Sequence, residues 1–240
     1  MLHSATSSGP EDFAAQLPRF RKAFRCYLPD ARGHGGSAWD VGRGFTAAML
    51  VEDVIGLADA LHLETFHLLG FSMGAMTALG VAIAAPDRVR TLVTVGITPE
   101  REPRTSVARR LMDPDRIERD EPERAARLAA RHDRGQGSGA WRRLLPAIAA
   151  DVASQPLLTP RQLHEIEAPT LVVAGDRDPF CPVDHAVGLA RQLRHARLLI
   201  APGCGHEVPA AAPNLFNAAC EGFYRATESI AETRARQEDT

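Results

Sequence analysis

The sequence predicts an α/β fold, a mostly parallel central sheet with helices on both faces and a helical lid inserted into it. Three observations carry that prediction. Short apolar, strand-forming runs at residues 65–69, 91–95, 170–174 and 197–201 alternate with runs of helical spacing, and this alternation builds parallel sheets covered on both faces. One strand-to-helix junction holds Gly70-Phe71-Ser72-Met73-Gly74, a G-x-S-x-G pattern in which a sharp turn lifts a serine hydroxyl clear of the chain. Residues 98–168 then interrupt the alternation, with no strand signal and a crowd of Arg, Glu, Asp and Pro.

A chain of 240 residues can bury one sizeable core. Its formal charge of -2, from 28 basic and 30 acidic residues without a long run of either sign, leaves no footprint for nucleic acid or an anionic membrane. The expected partner is a small molecule. Cys26, Cys181, Cys204 and Cys220 form no C-x-x-C pair, the start has no basic-then-apolar leader, and no apolar stretch approaches membrane-spanning length, so a cytoplasmic, soluble protein is expected. The histidines lack ligand spacing and no G-x-G-x-x-G follows a strand. Neither metal nor cofactor is expected.

Taken in order, residues 11–22 have the composition of a short helix broken or ended near Pro18, and 24–28 read as a short strand stopped by Pro29-Asp30. Arg32-Gly33-His34-Gly35-Gly36-Ser37 is a glycine-dense turn, with His34 read as a structural hydrogen-bonder. Met49, Leu50, Val54, Leu57, Ala58 and Leu61 recur at helical spacing and predict an amphipathic helix over 46–61. The strand at 65–69 and the helix at 72–85, rich in small residues and ended by Pro86, flank the serine turn. Within 98–168, helical runs at 121–131 and 141–152 surround Gly135-Gln136-Gly137-Ser138-Gly139, and Leu128, Trp141, Leu144, Leu145, Ile148 and Val152 supply an apolar face. Past the strand at 170–174 there is room for a helix at 182–193, and Leu215, Phe216, Phe223 and Ile230 anchor a closing helix over 214–230. The core therefore spans 1–97 and 169–230, the lid 98–168, and a polar, frayed tail 231–240.

If Ser72 is a nucleophile it needs a base in hydrogen-bond reach and a carboxylate to orient that base. In a parallel sheet these groups come from loops at the carboxyl ends of strands. The run at 170–174 ends in Gly175-Asp176-Arg177-Asp178-Pro179, with two carboxylates, and the run at 197–201 ends in Pro202-Gly203-Cys204-Gly205-His206-Glu207. Of the nine histidines, His206 alone follows a strand with glycines that let it turn back. Cys204 reads as a small buried residue beside the site, since the turn already carries a serine.

Pro29-Asp30-Ala31-Arg32-Gly33-His34-Gly35-Gly36-Ser37, the Gly-Phe-Ser-Met-Gly turn, Gly175-Asp176-Arg177-Asp178 and Gly203-Cys204-Gly205-His206 together resemble the α/β-hydrolase superfamily, specifically its capped serine hydrolases. The resemblance implies that Ser72 is the nucleophile, Asp178 the orienting acid and His206 the general base. The family places its acid three residues after the glycine, which leaves Asp176 as a loop-capping carboxylate and Glu100 as a distant third. The backbone N–H of Met73, at the helix start, is the implied oxyanion donor. The implied reaction is hydrolysis of a small carboxylic ester or lactone through an acyl-enzyme. The superfamily also contains C–C bond hydrolases and small peptidases with the same triad, and non-catalytic ligand-binding members; a haloalkane dehalogenase would carry Asp at position 72.

One departure stands out. Family members usually have His-Gly at the end of an earlier central strand, and here Leu2-His3-Ser4-Ala5 occupies that place, with Ser4 for the glycine. Ala5 is then the candidate second oxyanion donor, with a poorly fixed position expected. The strand that ordinarily lies between 24–28 and 65–69 is missing, which would open two ladders of backbone groups. The expectation is that Met1 is not the natural start and that about twenty or more residues precede it.

Overall fold

A computed structural model of the chain describes residues 1–238, with side chains through Glu228. The four apolar runs form strands β1 (Phe66–Phe71), β2 (Val89–Val95), β3 (Thr170–Gly175) and β4 (Ala196–Ala201). They pair side by side in that order, all parallel. Every residue of β3 is buried, as expected for a strand covered on both faces.

Two short helices, α1 (Gly9–Asp12) and α2 (Leu17–Phe20), stand where a helix broken or ended near Pro18 was expected, with Pro18 in the first turn of α2, the one place in a helix that suits it. Helix α3 (Ala47–Ala60) starts at Thr46, whose hydroxyl accepts the Met49 N–H, and α4 (Met73–Ala84) leaves the serine turn with its small residues buried. The segment 98–168 carries α5 (Arg104–Leu111), α6 (Pro114–Asp120), α7 (Pro122–His132), α8 (Ala140–Ser154) and α9 (Pro160–His164). The first two lie in sequence too polar to signal helix. Helices α10 (Val183–Gln192), α11 (Val208–Ala211) and α12 (Pro213–Glu238) complete the chain. Helix α12 continues past Ala231, where fraying was expected; the Ile230 side chain and residues 239–240 lie outside the described residues.

Apolar side chains gather in three places. Leu79, Leu92, Val172 and Leu189 pack on one face of the sheet, and Phe13, Val93, Val173 and Phe216 on the other. Ile117, Leu128, Leu144, Leu145 and Ile148 form a separate core inside 98–168 that closes over Ala5, Phe45 and Leu50. The inserted helices are thus fastened by apolar contact to the loops at one end of the sheet.

Residues 24–28 form no strand, a correction to the sequence expectation. A strand needs a neighbour, and its neighbour is reduced to Leu2, which bridges to Gly70 with Leu2 N–H on Leu69 O and Phe71 N–H on Leu2 O, at 2.8 and 2.9 Å. The amino group of Met1 donates to Tyr27 O at 2.7 Å. Beyond that contact an open groove of about 440 Å³, walled by Phe24, Tyr27, Leu57, Phe66 and Leu68, separates residues 24–28 from β1.

Three buried histidines tie the first loop to the rest. His3 accepts the Ala31 N–H at 2.9 Å on Nε2 and donates from Nδ1 to Ser4 O at 2.7 Å. His34 has carbonyl oxygens at both nitrogens, Arg32 O and Ala5 O, each at 3.0 Å. His132, at the end of α7, accepts the Gly35 N–H at 3.2 Å and faces Thr6 O at 3.4 Å. Their rings touch in series, His3 to His34 at 4.8 Å and His34 to His132 at 5.2 Å between centroids.

Burial pulls the pKa of His3 down to about 4, of His34 to about 3 and of His132 to about 4, from an ordinary 6.5. Between those limits the unfolded chain holds protons that the folded chain excludes. Their contribution is complete above about pH 6.5 and is lost as pH falls toward 4. Melting temperature measured across that interval is expected to drop steadily with acid, and a flat profile would show that the three rings are not buried neutral.

Candidate active site

A single residue, Ser72, separates β1 from α4, at φ 54° and ψ -113°. That conformation costs a residue with a side chain about 1–3 kcal/mol, so the surroundings must hold it. The Ser72 N–H donates to Val95 O at 2.8 Å, and its carbonyl accepts from Ala75 and Met76 N–H at 2.9 and 3.1 Å. The flanking glycines are required by contact. A Cβ on Gly70 would strike the Gly74 carbonyl, and one on Gly74 would strike the Leu2 carbonyl.

Asp178 lies in the loop after β3 and is 6% exposed. Its Oδ1 and Oδ2 lie 3.0 and 2.8 Å from Nδ1 of His206, on the loop after β4, and Oδ1 also accepts the N–H groups of Phe180 and Cys181 at 2.8 and 3.2 Å. With the carboxylate fixed as an acceptor, Nδ1 carries the imidazole proton and Nε2 keeps its lone pair. The His206 ring is held between Phe71 and Phe180, at centroid distances of 5.0 and 4.4 Å. Asp176 is exposed and makes no side-chain hydrogen bond among the described residues, so the capping bonds expected of it are made by Asp178 instead. Glu100 is also exposed and has no hydrogen bond to His206 among the described residues.

Phe71, the residue before Ser72, packs its ring on His206; Ser72 Oγ and His206 Nε2 are not hydrogen-bonded to each other in this structure. Ser72, Met73 and Ala5 line one cavity. Neither the Met73 nor the Ala5 N–H is taken by an acceptor among the described residues. The loop carrying Ala5 is firmly placed, contrary to the expectation. Ser4 N–H donates to Asp12 at 2.7 Å, Gly74 N–H donates to His3 O at 3.1 Å, His34 sits on Ala5 O, and Arg131 donates to Thr6 O. Side chains from the 31–36 turn and from α7 hold what a continuous strand would otherwise hold.

Cys181 lies beside Asp178 with its thiol 3.1 Å from Ile97 O, and burial pushes its pKa up to about 12, which leaves it unreactive. Cys204 is buried, as its sequence reading held. Gly96 is the site residue that sequence reasoning missed. It ends β2 at φ 62°, and a Cβ there would come within 2.8 and 2.9 Å of the His206 ring and 3.2 Å of Asp178 Oδ2. The available signal was a lone glycine at the carboxyl end of a predicted strand. Gly96→Ala is expected to displace the His206 ring, and the low-field proton resonance of Nδ1–H bonded to Asp178 should move upfield; an unshifted resonance would show the ring undisturbed.

Comparison with known proteins supplies the family. A model described as the alpha/beta hydrolase family matches residues 1–219. The chain is 30% identical over 232 residues to 3-oxoadipate enol-lactonase 2 of Acinetobacter baylyi (strain ATCC 33305 / BD413 / ADP1), covering 88% of this chain and 82% of the relative. It is 29% identical over 238 residues to 2-hydroxy-6-oxononadienedioate/2-hydroxy-6-oxononatrienedioate hydrolase 2 of Pseudomonas putida, covering 86% and 80%. The crystal structure of a hydrolase from Pseudomonas aeruginosa PA01 superposes with a TM-score of 0.74 at 28% identity, covering 93% of this chain and 88% of that one. With the parallel sheet, the inserted helices and the match over nearly its whole length, the chain belongs to the alpha/beta hydrolase family and is a hydrolase.

Proposed function

We propose that the chain is a serine hydrolase that cleaves a small carboxylic ester or lactone, with Ser72 as nucleophile, His206 as general base and Asp178 as the orienting acid. The single observation that carries this reading is the buried Asp178 carboxylate on His206 Nδ1, which holds the imidazole in the tautomer whose Nε2 can act as a base. Nε2 takes the Ser72 proton as Oγ attacks the carbonyl carbon. The N–H groups of Met73 and Ala5 receive the oxyanion, each such donor being worth roughly 10² to 10³ in rate. Collapse of the intermediate returns the proton from His206 to the departing alkoxide. A water, deprotonated in turn by Nε2, releases the acid and restores Ser72.

A second reading keeps the three residues and changes the bond to carbon–carbon. The P. putida relative favours it, since the substrate in its name is a vinylogous diketone rather than an ester. Turnover of aryl esters, lactones and vinylogous diketones by the purified protein separates the two. The reading includes a reducing, cytoplasmic setting, supported by four unpaired thiols; among the described residues no helix is long and apolar enough to cross a membrane.

A fluorophosphonate is expected to label the wild type and to leave Ser72→Ala unlabelled. Labelling that persists in the variant would remove Ser72 from its role. Asp178→Asn is expected to lower kcat/KM by about 10³ to 10⁴ fold, because the amide stabilises the wrong tautomer of His206. Asp176→Asn, on the exposed side of the same loop, should change it by less than about threefold.

A further inference from the structure

Arg104 opens helix α5 and lines the same cavity as Ser72 and Met73. It is 6% exposed, and its Nε and Nη2 are buried without a hydrogen-bond partner among the described residues. Arg88, Arg131 and Arg142 also have a buried nitrogen left over, but each is ion-paired, to Asp59, to Glu11, and to Asp115 and Glu118. Arg104 has no such pair among the described residues.

The charge around it does not balance. Arg101, a second guanidinium whose charge acts on Arg104, donates to Ala153 O and Gln155 O. Asp151 is the one carboxylate of the cavity wall; its Oδ1 accepts the Ala47 N–H at 3.0 Å, and burial pushes its pKa up. Burial and Arg101 pull the Arg104 pKa down while Asp151 opposes them, yet an arginine does not release its proton in a protein. The first turn of a helix also disfavours a cation and favours an anion. A buried guanidinium without a partner is costly, and that cost is relieved when an anion meets its N–H fork.

We infer that Arg104 binds substrate, and that the ester or lactone cleaved at Ser72 carries a carboxylate received by the Arg104 guanidinium. The inference rests on the serine hydrolase reading and adds the chemical class of its substrate. The cavity holds about 40 Å³, room for water alone, so a substrate enters by displacing side chains. Met73, Met76 and Met112 line it, and unbranched thioether chains repack readily.

The test compares monomethyl glutarate with methyl valerate, which puts a methyl group where the carboxylate stands. Wild type is expected to favour monomethyl glutarate by roughly tenfold to a hundredfold in kcat/KM, chiefly through KM. Arg104→Met should remove most of that preference, and Arg104→Lys should keep part of it. Glutarate should bind Ser72→Ala in calorimetry and bind at least about tenfold more weakly when Arg104→Met is added. Without ligand, Arg104→Met should melt no lower than wild type, since an apolar chain replaces an unpaired charge. An equal preference in wild type and Arg104→Met, glutarate binding that ignores the substitution, or a lowered melting temperature with the preference intact would each overturn the inference. If wild type hydrolyses neither ester while glutarate binding still depends on Arg104, the carboxylate site stands and the ester reading falls.

Discussion

The functional end of the molecule depends on backbone packed directly on backbone around Ser72. Gly70 lies against the Gly74 carbonyl, Gly74 lies against the Leu2 carbonyl, and Gly74 N–H bonds to His3 O. No side chain fits in either contact. The strain at Ser72 is sustained by this contact together with the bond from Ser72 N–H to Val95 O. The same contact sets the distance between the serine turn and the loop that carries Ala5, so the placement of Ser72 and of the candidate oxyanion donors has one physical origin.

Most of this was legible because it is local. A strand, a glycine, a serine and a glycine specify the turn at 70–74 by sterics alone, and a carboxylate or an imidazole just past a strand is carried to the same edge by any parallel sheet. Asp178 could be told from Asp176 only through family pattern, since both stand in one short loop and differ in burial, a property of the fold. Gly96 was illegible for a related reason. Its importance comes from a contact with His206, more than a hundred residues away in sequence, and a glycine after a strand has many commoner explanations. Helices α5 and α6 were missed because their polar sequence has too little apolar periodicity to signal them.

The strand at 24–28 failed for the opposite reason. Its residues have the right composition, but composition cannot provide a neighbour, and among the described residues Leu2 alone bridges to the edge of β1 away from β2. The three stacked histidines show how position can be held without a sheet ladder. Each ring nitrogen meets a backbone group, and the rings join the first loop, the 31–36 turn and the end of α7. Neutral imidazoles suit this task at His3 and His132, which accept an N–H on one nitrogen and can donate to a carbonyl from the other, whereas His34 faces two carbonyl oxygens and can donate to one of them.

The parallel topology has a consequence for how the molecule reaches its working state. The groups at the site come from the first loop, from the β1–α4 turn, from the ends of β2, β3 and β4, and from α5. No two of Ser72, Asp178 and His206 lie within one hairpin or one helix pair, and parallel strands cannot pair until distant chain segments meet. A partly folded chain therefore holds no functional fragment of the site. Any activity regained after refolding would report the complete native state, and a chain that stops short of β4, in the last fifth of the sequence, lacks His206.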